Sequence, residues 1–171
     1  MGLPYSISLG LAISLVSIFI GCAGLSKTSE GSCADLGTAI LVDTSGKHLQ
    51  LCQSGASIRE FDIAIGRGGR DKHSQGDNRT PLGGYALGTP RGSDDFHLFI
   101  HVGYPTTSQR AQGYTGGDIG IHGPSRDWKW LGGLTTWHNW TKGCIAVGTD
   151  GEIEIIEKWV TDNRVKKVVL Y

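Results

Sequence analysis

Residues 139–148 read NWTKGCIAVG, a cysteine set between a glycine and a short apolar run. Roughly twenty residues upstream, residues 118–125 read DIGIHGPS, where a β-branched run closes on a histidine that glycine follows. Two readings of Cys144 compete. As a lone free thiol it is a small buried hydrophobe, the common fate of such cysteines, just as a lone histidine is most often structural. As a nucleophile it needs a lowered barrier to losing its proton, which a neighbouring cation, a histidine or well-placed backbone N–H groups supply. The local sequence favours the second reading. Gly143 permits close backbone approach and unusual dihedrals, and N–H groups around Gly143 and Cys144 can form an oxyanion hole. Lys142 adds positive charge and Thr141 a hydroxyl, and His122 at the end of a rigid strand can be held within reach of sulfur.

Outward from this pair, the chain reads as short strands and turns. Residues 38–53, TAILVDTSGKHLQLCQ, alternate around DTSGK in the manner of a β-hairpin. Residues 57–66 continue as a strand, and the glycine-rich polar stretch 67–84 is a long surface loop. Residues 84–89 and 95–105 read as strands, the second dense in aromatic and β-branched side chains. Residues 106–118 form a short helix or a loop before the strand 119–123. Residues 124–143 have no clean period and carry Trp128, Trp130, Trp137 and Trp140, so they wrap as a loop over another part of the chain. The strongest helix signal is 149–160, where Thr149 and Glu152 fit a capping box and Ile153, Ile156 and Val160 share one face. Residues 164–171 close the chain as a strand. The fold class is mainly β, in one domain, with one capping helix near the C-terminus.

The first segment differs from everything after it. Residues 7–20 are almost wholly apolar, and residues 1–22 contain no charged side chain. That length is short for a bilayer span and suits a signal-peptide core. Gly21-Cys22 at its end is similar to a lipoprotein processing site, which makes Cys22 the lipidated residue and the membrane a partner through that anchor. The n-region lacks Lys and Arg and Phe19 is bulky for such a site, so a plain cleaved signal or a retained anchor is the alternative. The expected division is 1–21 signal peptide, 22–37 polar tether and 38–171 folded domain, exported to the periplasm or cell envelope. Outside the cytoplasm, Cys33, Cys52 and Cys144 leave an odd count. Cys33 and Cys52 can pair in an oxidising space, leaving Cys144 free, or both can stay reduced. The formal net charge is zero and 19% of residues are charged, with no basic patch or charged tail that would point to nucleic acid.

Several ordered motifs in the stretch from about residue 39 to residue 171 resemble the L,D-transpeptidase catalytic domain of the YkuD type. His122-Gly123 matches the family's first motif, and Thr141, Gly143 and Cys144 match its Ser/Thr-His-Gly-Cys motif. GDNRTPLGGY at 76–85 is similar to the GDxRTPxG loop of one branch, and FHLFIHVGYP at 96–105 to its LHISYP strand. The resemblance implies a β-sandwich-like catalytic domain with no cofactor and no metal. It makes Cys144 the acyl-accepting nucleophile, His122 its general base and acid, and the Gly123 carbonyl the group that orients the imidazole. The substrates implied are peptidoglycan stem tetrapeptides, cut after the third residue, with a second stem amine or a lipoprotein lysine as acceptor, for a role in cell wall biogenesis and cell shape. Carbapenem-like β-lactams are expected to acylate Cys144. Substrate contacts are expected from His101, Tyr104, Thr141, Lys142 and Trp140, while the tryptophans as a group either stack on substrate or pack their loop down. His138 is a surface or loop residue, and Arg79 secures its loop. Lys142 stands where the motif has histidine, and Ala146 where Arg or Asn is common.

Other readings stay in view. Hydrolysis of the same acyl-enzyme gives an L,D-carboxypeptidase, and loss of turnover gives a wall-binding lipoprotein, for which a retained Cys–His pair has no use. A metal site from His101, His122, His138 and Cys144 lacks any ligand spacing typical of zinc. A papain-like peptidase places its cysteine ahead of its histidine, the reverse of the order here.

Overall fold

The computed structural model describes residues 1, 2 and 31–171; the expected leader, Cys22 and most of the expected tether lie outside the described residues. The first hairpin forms as read. β1 (Ala39–Asp43) and β2 (His48–Gln53) pair antiparallel from Ala39 opposite Cys52 to Asp43 opposite His48. The turn closes because the Asp43 carboxylate accepts from the Ser45 and Gly46 N–H groups, both at 2.8 Å, a local bond available to few other side chains. β3 (Ala56–Ala64) follows, then β4 (Gly83–Ala86), β5 (Arg91–Ser93), β6 (His97–His101), a short α1 (Thr107–Ala111), β7 (Gly120–His122), β8 (Ile145–Val147), α2 (Asp150–Asp162) and β9 (Lys167–Leu170). The strand expected over 95–105 is shorter than its apolar content suggests, and β5, with no apolar residue, had no sequence signal.

Among the described residues all strands join one nine-stranded sheet in the order β4-β9-β1-β2-β3-β8-β7-β6-β5. β3 couples its two halves, pairing with β2 along most of its length and with β8 through Ile63 and Ala64. Past β4, Leu87 bridges Val102 just past β6. The sheet therefore rolls back on itself, and the sandwich-like core lies inside a single sheet. Ile40, Leu49, Ile63, Ile100, Ile121, Ile145 and Leu170, from seven different strands, meet there with Ile153 and Ile156 of α2. Each such side chain contributes about 1.5–3 kcal/mol on burial. α2 begins as the sequence indicates: Thr149 accepts from the Glu152 N–H, and Glu152 returns the bond to the Thr149 N–H.

β1 is buried on both faces. Ile40 and Val42 enter the main core, whereas Leu41 faces a second cluster with Cys33, Cys52, Val169 and Tyr171. Cys33 opens a 3-10 turn (Cys33–Asp35) and is disulfide-bonded to Cys52 at the end of β2. The last part of the stretch read as tether is thus fastened across the outer face of the sheet. Closing a loop of this size removes about 3 kcal/mol of chain entropy from the unfolded state.

Candidate functional site

His122 ends β7, buried to 1% exposure. Its Nδ1 lies 2.6 Å from the Gly123 carbonyl oxygen. A carbonyl only accepts, so Nδ1 carries the proton and Nε2 keeps its lone pair. Phe96 stacks on the imidazole at 3.9 Å between ring centres, and Trp140 meets it edge-on at 5.8 Å. Burial lowers the imidazole from 6.5 to about 4, against the opposing pull of the Gly123 bond. Gly123 is required by space as well, since a Cβ there would stand 2.8 Å from the Phe96 carbonyl oxygen.

β7 and β8 run parallel, with Ile121 opposite Ile145 and His122 opposite Ala146. Side chains alternate along extended backbone, so Cys144, two residues before Ala146, projects to the same side as His122. A cavity of about 420 Å³ is lined by both, together with Phe96, Ile119, Trp140 and Lys142. Cys33 and Cys52 being bonded, Cys144 is the free thiol among the described residues. Burial raises it from 9.0 to about 11; the Gly120 backbone bond and Lys72 oppose that rise, and Asp118 adds to it. At rest the thiol donates to the Asp118 carbonyl at 3.4 Å. Thiol and imidazole are therefore both neutral near pH 7.

The turn that presents Cys144 is held from beneath. Thr141 is buried; its hydroxyl donates to the Cys144 carbonyl at 2.7 Å and accepts from the Gly143 N–H at 3.1 Å. Thr80 donates to the Gly143 carbonyl at 3.0 Å. Gly143 has φ 132°, and a Cβ there would lie 2.7 Å from the Arg79 carbonyl oxygen. This corrects the expected oxyanion hole: the Gly143 N–H is committed to Thr141, and the Cys144 N–H alone has no partner among the described residues. Arg79 is fastened within its own loop, where its backbone N–H donates to Asp77. Its loop is pinned by Asp77, whose carboxylate accepts from Lys72 Nζ at 2.7 Å and from the N–H groups of His73, Ser74 and Arg79. Burial works to raise Asp77, but these bonds hold it well below the usual carboxylate range.

The remaining expected contacts divide. Trp140, Thr141 and Lys142 line the cavity. His101 lines a neighbouring cleft of about 440 Å³ that also reaches Cys144, with Arg91, Ser93, Asp94 and Asp95 along it. Tyr104 reaches neither. It is 3% exposed in the core, and its hydroxyl donates toward the carbonyls of Lys72 and Thr115, so it fastens loops instead of meeting substrate. The tryptophans split: Trp128 packs on Trp140 at 5.2 Å, while Trp130 and Trp137 are 79% and 82% exposed. Among the described residues no three His, Cys, Asp or Glu side chains gather into a metal site. Phe96 and Thr80 were not singled out by the sequence; neither lies near Cys144 in the chain.

Comparison with known proteins follows the same line. The family model of the YkuD L,D-transpeptidase catalytic domain matches residues 37–170. No curated protein sequence gives a significant match. Among solved structures, the helical cell shape determining protein Pgp2 from Campylobacter jejuni superposes with a TM-score of 0.63 at 28% identity, over 77% of this chain and 46% of that one. Bd1075 of Bdellovibrio bacteriovorus gives 0.54 at 22% identity, over 82% and 50% of the two chains. An L,D-transpeptidase from Stackebrandtia nassauensis gives 0.53 at 11%, over 86% and 61%; these two likenesses concern the fold. The chain spans about half the length of Pgp2. With its fold and most of its length accounted for by one family model, the chain belongs to the L,D-transpeptidase catalytic domain family.

Proposed function

We propose that this protein is a cysteine-dependent peptidoglycan L,D-transpeptidase acting on stem tetrapeptides. The observation that carries the reading is one cavity lined by both Cys144 and a neutral His122, whose Nδ1–H is fixed by the Gly123 carbonyl. Family membership supplies the substrate class.

The reaction follows from the protonation states. The thiol turns from the Asp118 carbonyl toward Nε2 and attacks the carbonyl of the third stem residue. Because the imidazole resists protonation and the thiol resists ionisation, the proton crosses as the C–S bond forms and not before. The resulting oxyanion takes a hydrogen bond from the Cys144 N–H. The imidazolium then returns its proton to the departing nitrogen of the terminal D-alanine, leaving a thioester on Cys144. A stem amine, or a lipoprotein lysine, attacks the thioester while His122 takes its proton, and Cys144 leaves as the thiol. Gly123 orients the base, Gly143 shapes the turn, and Lys142, Trp140, Thr141 and His101 border the space for substrate. An extracytoplasmic location, anchorage through Cys22 and a part in cell shape belong to the same proposal. The Cys33–Cys52 disulfide suits an oxidising compartment, and the similarity to a cell shape determining protein supports the last point.

The test is mass spectrometry of products from the full chain incubated with disaccharide tetrapeptide, beside Cys144→Ala. A cross-linked dimer that disappears in the variant is expected. Tripeptide without dimer would replace transfer by hydrolysis, and unchanged substrate with a folded protein would refute the catalytic reading in favour of wall binding.

A further inference from the structure

Around Cys144, three of four backbone polar groups are spoken for. The Gly143 N–H and the Cys144 carbonyl bond to Thr141, and the Gly143 carbonyl accepts from Thr80. The fourth, the Cys144 N–H, has no partner among the described residues. Cys144 lines the cavity it shares with His122, so an open N–H on this residue is placed to meet an acceptor that enters there.

Direction is the remaining question, and Thr80 answers it. The Gly143 carbonyl and the Cys144 N–H are the two ends of one trans peptide unit, which point in opposite directions. Whatever holds the carbonyl therefore aims the N–H. Thr80 is fully buried at 0% exposure, and both capacities of its hydroxyl are used: it accepts from the Gly66 N–H at 2.9 Å and donates to the Gly143 carbonyl at 3.0 Å. Its own N–H bonds to the Gly69 carbonyl at 2.9 Å. Gly66 is tied in turn to the nucleophile loop by its bridge to Thr141. The carbonyl is thus fastened toward the core side, and the N–H is turned away from it.

We propose that Thr80 is a positioning residue for acyl transfer, holding the Gly143–Cys144 peptide so that the Cys144 N–H serves as the turn's backbone donor to the oxyanion. This rests on the acyl-enzyme reading above. Thr80 touches no substrate; it acts through the peptide it orients.

The test compares the full-length wild type with Thr80→Val, which keeps the shape and removes the hydroxyl, and Thr80→Ser, which keeps the hydroxyl. Turnover of disaccharide tetrapeptide is read beside iodoacetamide alkylation of Cys144, a substitution that generates no oxyanion. Thr80→Val should lower kcat roughly ten- to a hundredfold with little change in KM, less than the roughly hundred- to thousandfold for deleting an oxyanion donor outright because the N–H is misaimed and not removed, while alkylation stays within about twofold. Thr80→Ser should restore most of kcat. If Thr80→Val does not fold, Thr80→Ala, which leaves room for a water, takes its place with the same readouts. Normal turnover in the hydroxyl-less variant would overturn the proposal. So would equal loss in Thr80→Ser, or alkylation falling in step with kcat. An inactive wild type would overturn the acyl-enzyme reading, and this inference with it, whereas an active wild type beside an unimpaired Thr80→Val would overturn this inference alone.

Discussion

The protonation state of the Cys144–His122 pair can be read from the pH dependence of alkylation. With the thiol raised to about 11 and the imidazole lowered to about 4, the resting protein holds both groups neutral instead of a thiolate and an imidazolium. At pH 7.5 a thiol of that acidity is ionised in about one molecule in 3,000, against about one in 30 for an ordinary thiol at 9.0. The rarer thiolate is more nucleophilic, and a Brønsted slope of about 0.4–0.5 returns roughly six- to tenfold of that hundredfold deficit. Cys144 should therefore react with iodoacetamide about tenfold more slowly than a free-cysteine peptide. Its rate should climb about tenfold per pH unit from pH 5.5 to 9.5 without a plateau. The assay is pseudo-first-order alkylation of the full chain, quantified on the tryptic peptide that carries Cys144. A rate level from pH 5.5 to 7.5, or faster than the peptide at pH 6, would mean a preformed ion pair and refute the argument from burial.

Two other outcomes follow from the same neighbourhood. In the unfolded chain His122 titrates near 6.5 and in the folded one near 4, so the unfolded state binds more protons between those values and stability falls as pH drops through that window. The full loss is about 3 kcal/mol, or roughly 10 °C in Tm for a chain of this size. His122→Gln should flatten the Tm-versus-pH slope between pH 7 and 4, and an unchanged slope would contradict the buried neutral imidazole. Gly143→Ala places a Cβ 2.7 Å from the Arg79 carbonyl at φ 132°. It should cost about 2 kcal/mol or more in denaturant unfolding and abolish turnover, whereas Gly151→Ala in α2, with nothing within 4 Å, should be neutral or stabilising.

What the sequence disclosed was whatever is decided locally. The α2 capping box and its apolar spacing lie within a dozen consecutive residues, and the Asp43 turn within four. Both appear in the structure as their residues indicate. The histidine-glycine and glycine-cysteine pairs were legible because each motif is contiguous. What stayed hidden depends on pairing across distance. Leu41 is buried by Cys33, Cys52 and Val169, and no pattern within β1 says that its second face will be covered. β5 is a strand only because β6 offers an edge to it. Tyr104 sits in the stretch similar to the LHISYP strand, where substrate contact was expected, yet chain geometry turns it into the core, where its hydroxyl finds two carbonyls.

The turn from Thr141 to Cys144 illustrates why a motif can be legible while its geometry is not. Thr141, Lys142, Gly143 and Cys144 mark the candidate site by their order, and that order alone offers two adjacent N–H groups to an oxyanion. Only the third dimension shows that Thr141 bends back to occupy one of them, and that a threonine 63 positions away fixes the peptide bearing the other. Glycine at 143 is then required for a reason its sequence neighbours do not supply. The Arg79 carbonyl presses where a Cβ would stand, because the same loop that delivers the Thr80 hydroxyl must pass directly beneath the turn. The loop resembling GDxRTPxG and the Thr-Lys-Gly-Cys turn are therefore one device in two pieces. Asp77 and Lys72 stiffen the first piece, Thr80 joins it to the second, and the direction of one N–H beside Cys144 is what the joint sets.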